Sequence, residues 1–313
     1  MLNNRLKVNI GGVEMKNPIM PASGTFSEEY AQVIDFNSLG DLVTKSVTPE
    51  PRMGNFGPRV AETPCGMINA VGIQSKGVEA FICQSIPFYK QFSSPLIVSI
   101  SANTADRFAE LASRLTLDGV AGLEVNISCP NLEDNGRSFA MDAQQTYQVI
   151  KRIRKATHLP LWAKLTPNAS NIVEIAVAAE QAGADALVVA NTILAMAIDV
   201  KNRKPKVGNI MGGLSGPAVK PIIVRMVYQV AKQVNIPVIG CGGITSVEDV
   251  LEYMIAGASA VQVGTYSFVN PYGMCEIIEG LQNYLYKHNL SSVNELVGSI
   301  ILNEKQDLQK AKY

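Results

Sequence analysis

The stretch Ala178–Thr192, AAEQAGADALVVANT, is answered sixty-odd residues later by Tyr253–Thr265, YMIAGASAVQVGT. Each reads as the end of a helix stopped at Gly, a short linker, and a buried strand. Six further short apolar runs bounded by Gly, Pro or Asn share the strand character: PIMPA (18–22), LVTKS (42–46), LIVSIS (96–101), LEVNIS (123–128), LWAKLT (161–166) and PVIGCG (237–242). With ALVVANT (186–192) and AVQVGT (260–265) they make eight. Near-continuous apolar strands belong to parallel sheets covered on both faces. Helical periods fill the gaps: Gly77–Tyr89, Thr104–Leu117, Ala143–Thr157, Asn171–Ala182, Pro217–Val234, Ser246–Ala256 and Tyr272–His288. The pattern predicts an α/β fold, a (β/α)₈ TIM barrel. A doubly wound open sheet is the alternative, but its glycine fingerprint should follow the first strand, and PASGTFSEEY does not supply it.

Barrels of this kind run to ~250 residues as one unit, and nothing here resembles a flexible linker, so residues 1–313 are read as a single domain. One Gly- and Pro-rich connection, 48–77, resists both periods. Its closing CGMINAVGIQ is too apolar for disorder, which predicts a long loop or hairpin insertion folded over the C-terminal face of the barrel.

Hydrophobic residues make up 47% of the chain and charged residues 17%, enough for a large core. The 27 basic and 27 acidic side chains balance without a basic stripe, which argues against nucleic acid as a partner. No run reaches the ~20 apolar residues of a membrane span, and the N-terminal residues lack the apolar centre of a signal peptide, so a cytoplasmic protein without membrane contact is expected. The five cysteines, at 65, 83, 129, 241 and 275, form no CxxC pair. Neither a zinc site nor an iron–sulfur cluster can be assembled from local ligands, and most of them, Cys83 and Cys275 in particular, are read as small buried hydrophobes.

In a TIM barrel the chemistry sits at the C-terminal strand ends. Those ends carry Ala22-Ser23-Gly24, Lys45-Ser46, Ser99 and Ser101, Asn126 and Ser128, Lys164, Asn191-Thr192, Gly242-Gly243 and Gly264-Thr265. Lys45 and Lys164 lie within apolar strands, where each ammonium needs an anion. A core carboxylate would serve, but Glu124 is the one candidate and is read as facing outward, so a bound anionic ligand is expected. Glycines at GLSGPA (213–218), GCGGITS (240–246) and Gly264-Thr265 let backbone N–H groups approach an anion, at the usual phosphate position of this architecture. Cys129, fixed by Pro130 and flanked by Asn126 and Asn131, stands just past a strand end. Neither His158 nor His288 falls at that face, and a thiol of unperturbed pKa ~8.5 is then the best-placed proton acceptor, unless Cys129 is simply packed in the wall. The polar segment 130–141 is expected to act as a lid.

The motifs NPIMPASGTF, TKSVTPEPRMGN, GMINAVGIQ, NISCPN, GGLSGPA and GCGGI together resemble the class 1 dihydroorotate dehydrogenases over nearly the whole chain. ETPCGMINAVGIQ and NGRSFAMD are similar to the NAD-linked type, class 1B. The resemblance implies an FMN-bearing barrel that oxidises (S)-dihydroorotate to orotate in pyrimidine synthesis. Cys129 would take the C5 proton while a hydride passes from C6 to flavin N5. Lys164 would lie beside flavin N1/O2, and Lys45 would touch both flavin and substrate. FMN contacts would further come from Ser23, Ser46, Asn126, Ala190, Gly216, Gly242, Gly243, Gly264 and Thr265, the last glycines holding the phosphate. Substrate contacts would come from Asn69, Ala70, Val71, Gly72, Ile73, Asn126, Asn191 and Thr192, with Asn131 assisting. The family type also implies a homodimer within a heterotetramer, whose second subunit carries FAD and a [2Fe–2S] cluster. Two departures stand out: Ser99-Ile100-Ser101-Ala102 replaces an Asn-Val-Ala-Gly, leaving open whether Ser99 or Asn103 meets the flavin, and Phe139-Ala140 replaces Phe-Gly. The rival readings are a fumarate-linked enzyme, a dihydropyrimidine dehydrogenase-like enzyme, and, outside redox chemistry, a phosphosugar lyase using Lys164 or an idle phosphate-binding barrel.

Overall fold

The computed structural model describes residues 4–128 and 138–302; Cys129, Asn131 and most of the segment expected to form a lid lie outside them. All eight apolar runs become strands of one parallel sheet: β3 (Ile19–Pro21), β4 (Leu42–Val43), β7 (Leu96–Ile100), β8 (Gly122–Asn126), β9 (Leu161–Lys164), β10 (Ala186–Val189), β15 (Val238–Cys241) and β16 (Ala260–Val263). Their order, β3-β16-β15-β10-β9-β8-β7-β4, follows the chain around a ring. The Gly40 N–H donates to the Ile19 carbonyl at 2.8 Å across the remaining gap between β3 and β4. The expected barrel is therefore the fold. β4 is shorter than its run, yet Thr44 N–H to Ile97 (3.1 Å) and Val47 N–H to Ser99 (2.7 Å) carry its pairing with β7 past the last strand residue.

Around the ring stand α1 (Val78–Ala80) and α2 (Ile86–Tyr89), joined by one π turn at Phe81–Ser85, then α3 (Ala105–Arg114), α4 (Ala143–Arg154), α5 (Ile172–Gln181), α6 (Lys220–Ala231), α7 (Val247–Ala256), the short α8 (Tyr266–Val269) and α9 (Gly273–Lys287). Four of these helices, α3, α4, α5 and α7, start at side-chain caps. Thr104 accepts from Arg107 N–H, Asp142 from Gln145 N–H and Asn171 from Val173 N–H, and Ser246 with Asp249 forms a capping box. The two echoing segments end in the same way. Gly183 (φ 101°) and Gly257 (φ 122°) each terminate a helix with paired bonds, Ala184 N–H to Ala179 and Gly183 N–H to Glu180 in one, Ala258 N–H to Tyr253 and Gly257 N–H to Met254 in the other. This is the Schellman pattern that a left-handed glycine permits. Asp185 and Ser259 then donate to Leu161 and Val238, which sets the register of the strands that follow.

The insertion expected over the C-terminal face is there, and it is larger than 48–77. β5 (Val60–Thr63) and β6 (Gly66–Asn69) form the hairpin, and β14 (Gly212–Ser215) and β11 (Ile193–Ala195) extend it into a four-stranded antiparallel roof, β11-β14-β6-β5. A small pair, β12 (Ile198–Asp199) with β13 (Lys204–Pro205), adjoins it, and the hairpin β1 (Val8–Ile10) with β2 (Val13–Met15) precedes the barrel. Ile68, Ala70 and Val207 form a separate small apolar cluster at the roof.

The cysteines depart from expectation. Cys65 and Cys83 are exposed, and Cys241 and Cys275 are half-buried. Cys65 occupies the hairpin turn between β5 and β6 with φ 56°, and Cys83 lies two residues from buried Phe81, on the opposite side of its helical turn. Among the described residues no helix is long and apolar enough to cross a membrane, and no group of His, Cys, Asp and Glu is placed to hold a metal.

Candidate active site

A cavity of about 540 Å³ opens between the strand ends and the roof. Ser23, Lys45, Ser46, Asn126, Lys164 and Ala190 line it from the barrel side, and Asn191 and Thr192 from the segment entering β11. Gly216, Gly242, Gly243, Gly264 and Thr265 close one end, while Asn69, Val71, Gly72 and Ile73 come down from the roof. Ala70 does not reach it. Its side chain packs with Ile68 and Val207 and lines an adjoining cavity of about 260 Å³ that shares Ser128, Asn191 and Thr192 with the first.

The polar groups of the wall are wired across neighbouring strand ends. Asn191 Nδ2 donates to Asn126 Oδ1 at 3.3 Å, Asn126 Nδ2 to Ser46 Oγ at 3.5 Å, and Ser46 Oγ meets Ser99 Oγ at 2.9 Å. Asn69 Nδ2 donates to the Gly213 carbonyl at 3.1 Å, tying β6 to β14. Ser99 thus lies one step behind the wall, and Asn103 is not part of it. Phe139 and Ala140 are buried, Phe139 packing edge-on against Phe108 at 5.8 Å, so this departure from the family pattern falls in the core.

The two lysines differ, and both correct the sequence expectation. Lys45 falls beyond the last residue of β4 and is exposed at the cavity, so its charge is hydrated and not stranded in a strand. Lys164 is buried at 4% exposure, but its partner is the carboxylate that was read as facing outward. Glu124 is wholly buried and its Oε2 lies 3.6 Å from Lys164 Nζ. Register explains this: Glu124, paired with Ser99 and Trp162, precedes Asn126, paired with Lys164, by two residues, and strand alternation puts both on the inner face. Burial pushes the thiol of Cys241 up, with Lys164 drawing it the other way and Glu124 pushing it further up. That makes Cys241 a poor proton acceptor although it lines the cavity.

The glycine end fits an anion. Gly243 has φ 72°, and a Cβ there would sit 2.8 Å from the Gly216 carbonyl oxygen; one at Gly216 (φ 95°) would meet Gly66 Cα at 2.8 Å. Only glycine lets these backbones approach so closely. Asp249 braces the turn by accepting from Thr245 N–H (2.7 Å), Ser246 N–H (3.1 Å) and Lys220 Nζ (2.7 Å). Burial pushes the Asp249 carboxyl up, but Lys220 and Thr245 outweigh it and hold it below the usual range, while Asp249 and Glu252 hold the Lys220 ammonium up. Lys220 is therefore already answered, and any anion at this end is left to backbone N–H groups and the start of the helix.

Several lining residues carried no signal in the sequence reading. Met67, Leu214 and Ser215 belong to the roof, whose pairing joins distant segments, and Thr265 Oγ1 donates to Ser215 Oγ at 2.7 Å to fasten roof to barrel. Tyr266, Phe268 and Val269 line the cavity from α8; their place directly after β16 was the available signal.

The model of the dihydroorotate dehydrogenase family matches residues 5–285. This chain belongs to the dihydroorotate dehydrogenase family. It is 51% identical over 297 residues to the catalytic subunit of dihydroorotate dehydrogenase B (NAD(+)) from Desulforamulus reducens, covering 94% of this chain and 98% of that subunit. The subunits of the same name from Thermoanaerobacter sp. and Pelobacter propionicus are 48% and 49% identical, again covering 94% of this chain and 98% of each relative. Within the dihydroorotate dehydrogenases the chain falls with the NAD-linked class 1B type.

Proposed function

We propose that this dihydroorotate dehydrogenase barrel binds one FMN in the large cavity and oxidises (S)-dihydroorotate to orotate in pyrimidine synthesis, the electrons continuing to NAD⁺ through a partner subunit bearing FAD and a [2Fe–2S] cluster. The observation that carries the reading is a single cavity that joins a glycine-bounded anion corner, a buried ammonium and a wall of amides. Bound FMN would supply a hydride acceptor facing substrate C6. Gly216, Gly242, Gly243, Gly264 and Thr265 hold its phosphate, Ser23 and Ala190 flank it, and Lys164 presents positive charge to the ring. Lys45, exposed at the mouth, would contact both flavin and substrate. The neutral donors and acceptors of Asn69, Asn126, Asn191 and Thr192 match the alternating N–H and C=O groups of a pyrimidine ring. Val71, Gly72 and Ile73 cover that ring from the roof. Cys129 directly follows Ser128, a residue that lines both cavities, and Cys129 removes the C5 proton, with Asn131 assisting. Two such catalytic chains and two electron-transfer chains make up the proposed cytoplasmic complex. The family assignment sets aside the phosphosugar lyase.

The purified chain is expected to be yellow, and Cys129→Ala to stay yellow while dihydroorotate oxidation slows by ~10²–10⁴-fold. A colourless wild-type chain, or unimpaired turnover of the variant, overturns the respective assignment. Turnover with NAD⁺ only when the partner subunit is present, and none with fumarate, is the outcome expected of the acceptor.

A further inference from the structure

Beneath the cavity, three side chains from three strands and a fourth from just past β3 form a line. Lys164 Nζ, on β9, donates to Gln262 Oε1 on β16 at 2.8 Å and to Ser23 Oγ after β3 at 3.3 Å. Gln262 Nε2 donates to Glu124 Oε2 on β8 at 2.6 Å. An ammonium has only donors and a carboxylate only acceptors, so the orientation of the amide between them is fixed by chemistry. The direct Lys164–Glu124 separation of 3.6 Å is too long for a hydrogen bond. Gln262 is therefore both a bridge and a spacer. Apolar residues of similar volume usually fill such a space with no loss of stability, and often with a gain, so fold stability alone is a weak reason for the arrangement.

We infer that Glu124, acting through Gln262, is a positioning residue for Lys164 that sets how much positive charge the ammonium presents to the ring bound above it, and so how readily that ring accepts electrons. The inference rests on the proposed seat of a flavin in the cavity. A ring that gains negative charge on reduction is favoured by a facing cation and disfavoured by the cation's counter-charge. By holding Glu124 one amide away from Lys164, the chain keeps the ammonium extended toward the cavity while moderating its field. Asp41, the other carboxyl inside the barrel, has no hydrogen-bond partner among the described residues. Burial pushes it well above the usual carboxylate range, with Glu124 adding to the rise, and with no hydrogen bond to Lys164 or Gln262 it stands outside the line.

The test is the two-electron midpoint potential of the FMN-loaded chain, followed by the flavin spectrum, with affinity for sulfite as a second readout of electron demand. Glu124→Gln is expected to raise the reduced-to-oxidised ratio at fixed potential by tenfold or more, about 30 mV for a two-electron couple, and to tighten sulfite binding. Gln262→Met, which lets carboxylate and ammonium close on each other, is expected to shift both in the opposite direction, and Asp41→Asn to shift neither. In a Lys164→Gln background the effect of Glu124→Gln should vanish, as coupling through one residue requires. An unchanged potential in Glu124→Gln, or an undiminished shift without Lys164, overturns the inference. If Glu124→Gln does not fold, an unchanged potential in Gln262→Met does so by itself. A wild-type chain that takes up no FMN overturns the reading of the cavity and the inference together; a yellow chain with an insensitive potential overturns the inference alone.

Discussion

Asp41 enters β4 from the N-terminal side of the barrel with both carboxyl oxygens lacking partners among the described residues. Its folded-state titration lies well above the usual carboxylate range, from burial first and Glu124 second. A carboxyl that holds its proton more tightly when folded makes stability fall as pH rises from the unfolded value to the folded one, and remain lower beyond it. Asp41→Asn removes that loss. The urea midpoint of the variant should therefore exceed wild type at pH 7, with the advantage shrinking as pH approaches 4; an equal difference at both values would mean that ionisation is not the cause. Among site residues, Lys164 was legible because a charge inside an apolar run is conspicuous. Its partners were not. Glu124 and Gln262 sit in LEVNIS and AVQVGT, and only the folded chain, through their 2.6 Å hydrogen bond, shows that both turn inward.

The glycine-rich turn after β15 is where one element can be tested against another. Gly243→Ala meets both a left-handed backbone (φ 72°) and the Gly216 carbonyl 2.8 Å from the new methyl. A loss of ~1–3 kcal/mol and weaker FMN retention are expected, read by thermal unfolding and by flavin fluorescence of the released fraction. Gly57→Ala, where a Cβ has nothing within 4 Å and which lies outside the cavity lining, is the matched control and should change neither. Asp249→Ala leaves the Thr245 and Ser246 N–H groups without their acceptor, while Lys220 keeps Glu252, and should cost ~1–3 kcal/mol. At this scale the sequence was a good guide wherever the signal is local. Caps at Thr104, Asn171 and Ser246 and the stops at Gly183 and Gly257 put the helices close to where the periodicity does. The strand Gly212–Ser215 was not foreseen, because its partner in the ladder is β6, some 145 residues earlier, and no local pattern encodes that pairing.

For the whole molecule, apolar contact is continuous from Leu6 to Leu296 through strands, helices and the segments between them. We propose that the chain unfolds as one domain, giving a single calorimetric transition whose van't Hoff and measured enthalpies agree; two resolved transitions, or one broader than its enthalpy allows, would divide it. The barrel was readable from eight apolar runs because each strand is buried on both faces and little else produces that pattern. The roof has a further bearing on engineering. Since β6 pairs with β14, the excursion that leaves the barrel after β4 and the one that leaves after β10 are two halves of a single woven piece. A chimera that imports one half from a homologue inherits mismatched ladder partners, so altered substrate preference should be obtainable only by transplanting both halves together.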